Sequence, residues 1–247
     1  DVHAWHRAFW EQGIPVDMID MECDDLSRYK VIAAPMLYMY RAGFAKKLRE
    51  FVENGGVLVG TYNTGIVNDT DLCYLGGWPG ETMDLFGLWN EEIDSLPEGA
   101  TNAMVCCGEG HRRYTVRDLC AIVHAKGAEV LAEYDDDFYK GRPALTVNRC
   151  GQGKAYYVAA RAEADFLRDF CTKLADDAGV VRALNTALPY GVVPMMRMDE
   201  TGKAVVFVQN FTGETKPLVL NETCTVFETG EKTDALTLAP YETVILL

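Results

Sequence analysis

The strongest constraint on the fold of this sequence lies between residues 31 and 60, where two short apolar runs flank one amphipathic helix. Val31-Ile32-Ala33-Ala34-Pro35 is apolar at every position, as a strand covered on both faces of a parallel sheet must be. In the next segment Phe44, Leu48, Phe51 and Val52 fall at i, i+4, i+7 and i+8, while Lys46, Lys47, Arg49, Glu50 and Glu53 take the opposite face. Asn54-Gly55-Gly56 supplies a left-handed stop, and Val57-Leu58-Val59-Gly60 returns as a second buried strand. Strand, helix and strand joined by short loops predict the α/β class, with a doubly wound, mostly parallel sheet.

The flanking segments extend this pattern. Residues 3–12 read as a helix ended by Gly13, and Ile14-Pro15-Val16-Asp17-Met18-Ile19 as a short strand. Residues 61–102 form a long Gly-rich, aromatic loop holding Leu75-Gly76-Gly77, Trp78, Pro79 and Trp89, and loops of this length usually have a function. Strands are expected at 103–107, 114–123, 130–134, 144–149 and 154–159, the last two joined by Gly151-Gln152-Gly153, and a helix at 162–178. Beyond Pro189 the pattern changes to period two at 192–198, 203–210, 216–220, 223–228 and 242–247, which predicts a small antiparallel β module. The expected division is therefore 1–187 and 188–247.

Composition narrows the class of function. With 49% hydrophobic residues the chain is a core former, and 23 basic against 37 acidic residues give a net charge of −14. That charge repels polyanions and anionic bilayers, so neither nucleic acid nor a membrane surface is an expected partner. No apolar run approaches the roughly 18 residues of a membrane span, and a soluble, cytoplasmic chain is expected. The eight cysteines read as reduced and mostly buried, since no C-x-x-C occurs and Cys106 and Cys107 are adjacent. The sequons at Asn68, Asn210 and Asn221 read as chance matches.

The motifs that could carry chemistry each have a plainer reading. Gly151-x-Gly153 lacks the third glycine and the following helix of a dinucleotide cradle, and reads as a hairpin turn. His3 and His6 share a helical face and could bind metal with Asp20, but spacing fixes no third ligand. His111 and His124 are isolated. Asp135-Asp136-Asp137 has no EF-hand spacing and suits a solvated turn. Asp84, Glu91, Glu92 and Asp94 invite a glycosidase dyad, yet sequence gives no carboxylate separation. The turn after the second buried strand reads Gly60-Thr61-Tyr62-Asn63-Thr64-Gly65, without the cysteine that amidotransferase-like folds place there, and Cys73 is the nearest thiol. No cofactor, metal or catalytic residue is assigned.

Six segments in order resemble the glycoside hydrolase family 42 β-galactosidases. They are Gly13-Ile14-Pro15-Val16-Asp17; Asp25-Leu26-Ser27 running through Tyr29 to Leu37-Tyr38; Gly65-Ile66-Val67-Asn68-Asp69 through Leu75-Gly76-Gly77-Trp78-Pro79-Gly80; Gly127-Ala128-Glu129-Val130-Leu131-Ala132; Phe138-Tyr139 through Gly141-Arg142-Pro143-Ala144; and Gly151-Gln152-Gly153 through Tyr156-Tyr157-Val158. The resemblance covers essentially the whole chain and is to the C-terminal half of the family. It implies an amidotransferase-like (flavodoxin/Rossmann-like) three-layer sandwich that holds a homotrimer together, followed by a small antiparallel all-β domain. The family's catalytic (β/α)8 barrel, with its acid/base and nucleophile glutamates, would be absent from this sequence. The parent enzyme would hydrolyse terminal β-D-galactosides, and this chain alone would be inactive. Trp78, Pro79 and Trp89 are the interface candidates, because aromatics concentrate at buried interface centres. A free-standing amidotransferase-like thiol hydrolase using Cys73 or another thiol, and a carbohydrate-binding module using Trp78, Trp89 or residues of the β module, are the alternatives.

Overall fold

The computed structural model describes residues 1–108 and 110–247. Helix α1 (Val2–Trp10) ends in a turn at Gly13, whose φ of 65° favours glycine. No strand follows it. Residues 14–20 run without ladder partners, a correction to the expectation of a strand there: Pro15 offers no N–H, and Met18 and Ile19 face solvent.

The strand–helix–strand reading holds as β1 (Val31–Ala34), α2 (Phe44–Glu53) and β2 (Val57–Thr61), with β1 and β2 parallel from Val31 opposite Val57. Helix α2 buries Phe44, Ala45, Leu48, Phe51 and Val52, the face its spacing announces. It closes through the Asn54 N–H onto the Glu50 carbonyl (3.1 Å) and the Gly55 N–H onto the Val52 carbonyl (2.9 Å).

The expected loop from 61 to 102 contains more structure than its glycines suggest. A single 3₁₀ turn at Gly80–Thr82 leads into the short α3 (Met83–Phe86), and then into β3 (Leu88–Ser95). The chain continues through β4 (Thr101–Cys106), β5 (Arg113–Ala125), β6 (Glu129–Tyr134), β7 (Pro143–Cys150), β8 (Gly153–Val158), β9 (Ala160–Ala162) and α4 (Ala164–Asp177). The nine strands form one sheet in the order β1-β2-β8-β7-β6-β4-β5-β3, with β9 on β5.

The sheet is mixed, not mostly parallel as the sequence suggests. Among the described residues, parallel pairing in this sheet joins β1 to β2 and β2 to β8, while the six other ladders are antiparallel. The cause is connection length, since antiparallel neighbours need only a short turn and parallel ones a crossover. Gly151-Gln152 is such a turn: Cys150 faces Gly153 across the β7–β8 hairpin, as its glycines announce.

Part of this sheet closes on itself. Strand β8 runs through Ala159 into β9, and Ala159 joins both sides, donating to the Ala144 carbonyl (2.9 Å) and accepting from the Ala121 N–H (2.7 Å). The ladders β5–β4–β6–β7–β8/β9–β5 therefore return to their start as a five-membered circuit. Its core is aromatic. Tyr134 and Tyr139 meet edge-on with centroids 4.9 Å apart, and the Tyr134 hydroxyl donates to the Ala121 carbonyl (3.1 Å). The buried Cys120 thiol faces both phenols, and burial pushes it up to about 11.

The chain divides into two units: residues 1–5 with 19–170, which contain this sheet, and residues 6–18 with 171–247. The second unit holds a three-stranded antiparallel sheet of β10 (Val192–Met198), β11 (Ala204–Asn210) and β14 (Thr243–Leu246) in the order β10-β11-β14, and a hairpin of β12 (Lys216–Thr225) and β13 (Lys232–Leu238). Here the sequence reading needs two corrections. The runs at 216–220 and 223–228 belong mainly to one bulged strand, and β13 was not foreseen because its inward positions alternate weakly. Val192, Val208, Leu218, Leu220, Leu238 and Leu246 form the core. Asn210 ties the unit together: its amide donates to the Glu214 and Ala239 carbonyls (2.8 Å each), and its oxygen accepts from the Thr212 N–H and hydroxyl. Among the described residues no helix is long and apolar enough to cross a membrane.

Candidate functional site

In α/β sheets, ligands and interaction groups collect beyond the carboxyl ends of parallel strands. At that end of β2 the side chains serve the backbone. Thr61 Oγ1 accepts from the Met36 N–H (2.8 Å) and donates to the Tyr62 carbonyl (3.1 Å), while Thr64 Oγ1 accepts from the Thr61 N–H (3.2 Å). Asn63 carries the turn with φ 58°. The Tyr62 hydroxyl donates to Asp1 (2.7 Å), and burial pushes that phenol up to about 12. A hydroxyl that already bonds its own turn is held in place as a brace, and nothing in this arrangement activates a nucleophile.

Beyond the turn, three segments lie side by side. The Ile66 N–H donates to the Tyr38 carbonyl (2.8 Å), the Tyr40 N–H to Val67 (3.0 Å), the Tyr74 N–H to Ile66 (3.1 Å) and the Asn68 N–H to Leu72 (3.0 Å). They form a rib of residues 36–40, 65–68 and 72–75, with Val67 buried between its neighbours. The rib rests on Tyr40, whose hydroxyl is 2.8 Å from that of Thr82.

The interface candidates divide unequally. Pro79 is buried, joined to Trp78 by a cis peptide, and its carbonyl accepts from the Thr82 N–H and hydroxyl. Trp78 is half-buried, its carbonyl accepts from the Asn90 N–H (2.8 Å), and its buried indole N–H has no partner among the described residues. Trp89, on β3, stacks on His124 of β5 with centroids 4.6 Å apart and planes 9° from parallel, and Lys126 stands over its ring at 5.7 Å. Sequence reasoning missed this cluster. Glu91 Oε2 lies 2.6 Å from His124 Nε2, and Arg142 Nη1 is 3.4 Å from Nδ1. The signal available was Leu88-Trp89-Asn90-Glu91 as the start of a strand, which would have set Trp89 and Glu91 two apart on one side.

The other candidate residues are dispersed or engaged. Glu91 serves His124, and Asp94 accepts from the Tyr139 hydroxyl (3.1 Å), so these two carboxylates answer to different partners. Asp84 and Glu92 are both exposed. Asp135 pairs with Arg113 (3.0 Å) and Lys140 (3.7 Å), and the Arg113 guanidinium holds its carboxyl below the usual range. Asp137 receives the Phe138 N–H (2.7 Å), which makes the acidic triplet a turn. His3, His6 and Asp20 sit at the surface or partly so, His111 carries a turn at φ 40°, and no group of three His, Cys, Asp or Glu among the described residues could hold a metal ion.

All eight cysteines are free thiols, with Cys73 and Cys107 exposed and Cys120 and Cys171 buried. Burial also raises the Cys171 thiol far above its ordinary range. Native-state alkylation followed by peptide mapping is expected to mark Cys73 and Cys107, and to reach Cys120 and Cys171 only in denaturant. Rapid native labelling of either buried thiol would contradict the packing around α4 and β5.

Residues 1–181 match the family model described as the β-galactosidase trimerisation domain. The chain belongs to this β-galactosidase trimerisation-domain family. Among curated relatives, β-galactosidase Pbg of Clostridium perfringens is 46% identical over 233 residues, covering 92% of this chain and 33% of its own length. Among solved structures, the β-galactosidase of Bacillus circulans sp. alkalophilus superposes with a TM-score of 0.93 at 40% identity, over 99% of this chain and 36% of that one. Gan42B, described as a GH42 β-galactosidase from G. stearothermophilus, follows at 0.91 and 38%, over 98% and 35%. This family member thus spans about a third of the length of the relatives it matches.

Proposed function

We propose that this chain is the self-association and C-terminal β region of a longer, homotrimeric, cytoplasmic β-galactosidase that hydrolyses terminal β-D-galactosides through a barrel domain outside these residues. The observation that carries the reading is the match of residues 1–181 to a trimerisation domain, at a third of the relatives' length. A closed ring of three identical chains needs a rigid adaptor that presents one surface to the next copy and receives it on another. The sheet and its loops are suited to this role. The net charge of −14 supports a partner that is neither nucleic acid nor membrane.

The finer architecture belongs to the same proposal. Residues 1–187 are read as the trimerisation domain and 188–247 as the C-terminal β domain, a reading supported by the period-two strands β10 to β14 that begin after Pro189. The amidotransferase-like ancestry is supported by the parallel limb β1–α2–β2–β8, with Thr61 and Thr64 standing where such folds carry a nucleophile. The segment bearing Trp78, Pro79 and Trp89 is read as the scaffold of the interface.

Light scattering coupled to size exclusion tests this. The expected mass is three times the 27.4 kDa of the chain, constant on dilution through the micromolar range, and the same preparation is expected to leave a nitrophenyl galactoside intact. A 27.4 kDa particle at every concentration, or galactoside hydrolysis by the purified chain, would refute the reading.

A further inference from the structure

The rib of residues 36–40, 65–68 and 72–75 exposes an apolar surface that the described residues leave uncovered. Leu75 is 98% exposed, Leu72 63%, Tyr38 47% and Met36 38%, on the two outer segments of the rib, each of which hydrogen-bonds to residues 65–68. Such side chains scattered singly need no explanation, but four on one hydrogen-bonded rib do. The backbone determines why they point outward. Met36 (φ 52°) reverses the chain directly after β1, and Gly76 and Gly77 (φ 99° and 102°) turn it away after Leu75, so Trp78 and Pro79 fold back while Leu75 projects.

We infer that this rib is one side of the contact between copies of the chain, and that its occupant is a second copy. The inference rests on the trimerisation reading and deepens it by naming the surface. Three observations favour a second copy. The rib lies wholly within the residues matched to a trimerisation domain. Two chains of charge −14 repel at long range, so the contact must draw its affinity from apolar burial at short range, which the rib offers. The rib is already ordered by backbone hydrogen bonds between its segments, by the Met36 N–H on the Thr61 hydroxyl and by the Tyr40 hydroxyl against that of Thr82, so docking spends little free energy on fixing a loop. In a cyclic trimer this surface meets a different patch on the next chain. Of the interface candidates of the sequence reading, Pro79 then acts from beneath, through Thr82 and Tyr40, while Leu72, Leu75, Tyr38 and Met36 make the contact.

Single glutamates at the projecting positions, Leu75→Glu and Leu72→Glu, test the surface, with Phe138→Glu as control. Phe138 is 74% exposed on the β6–β7 turn of the same unit and outside the rib. Circular dichroism and urea midpoints verify that each variant folds, and light scattering over a dilution series reads its assembly. Dissociation at concentrations at least about tenfold higher for both leucine variants, with Phe138→Glu unchanged, is the expected result. Folded leucine variants that stay trimeric beside a trimeric parent would overturn the rib as the contact while leaving self-association intact. A monomeric parent would overturn both the trimerisation reading and this surface, and would leave the remaining two-thirds of a relative-length chain as the rib's partner.

Discussion

Replacing Tyr134 with alanine is expected to remove about 4 kcal/mol of folding stability, the upper range for deleting a buried aromatic side chain. Tyr134 is fully buried in the closed strand circuit, packs edge-on against Tyr139 and donates to the Ala121 carbonyl. Its ring stands between strands whose closure prevents them from moving together to fill the space, so most of the cavity would persist. Tyr134→Phe separates the two contributions. It keeps the ring, leaves the Ala121 carbonyl short of a donor and should cost about 1 kcal/mol. Urea denaturation monitored by tryptophan fluorescence measures both. Equal losses for alanine and phenylalanine would mean that the hydroxyl, and not the packing, holds the circuit.

The second large effect is expected at Gly153, where β8 begins. A methyl group there would stand 2.2 Å from the carbonyl oxygens of both Gly56 and Val52. Neither oxygen can give way cheaply, because Val52 lies in α2 and Gly56 leads into β2. Gly153→Ala is therefore expected to cost about 3 kcal/mol or more through displaced backbone. Gly99→Ala is the matching control. Its φ of 79° disfavours alanine, yet nothing lies within 4 Å, so only the conformational cost of about 1 kcal/mol should appear. If the two variants melt alike, the close approach of α2, β2 and β8 at Gly153 is wrong.

These positions also show what could be read from sequence. The parallel limb was legible because its information is local: the stripe of Phe44, Leu48, Phe51 and Val52 and the stop at Asn54 determine α2 whatever the rest of the chain does. The orientation of the remaining strands was not, since alternation along β4 to β7 is the same for parallel and antiparallel neighbours. Strand β3 was hidden because its polar run Asn90-Glu91-Glu92 owes its place to cross-strand partners in β5 over thirty residues away. The interface candidates were chosen by residue type. Trp78 and Trp89 read as contacts because they are aromatic, whereas Leu75 is the more exposed side chain in the fold, a consequence of two positive φ angles that no periodicity reveals.

The closed circuit has a consequence for how the chain is made. Val57 of β2 finds its register partner in Lys154, and Val116 of β5 finds its own in Ala162, so both strands are synthesised long before the segment that covers them. At ribosomal rates of about 5–20 residues per second, β2 waits roughly 5–20 s for β8, with its backbone edge open throughout. A nascent chain arrested after β7 would hold three unsatisfied edges, on β2, β5 and β7, together with Tyr134 and Cys120 unprotected. One short hairpin, turning at Gly151 and Gln152 into β8 and β9, seals all three at once.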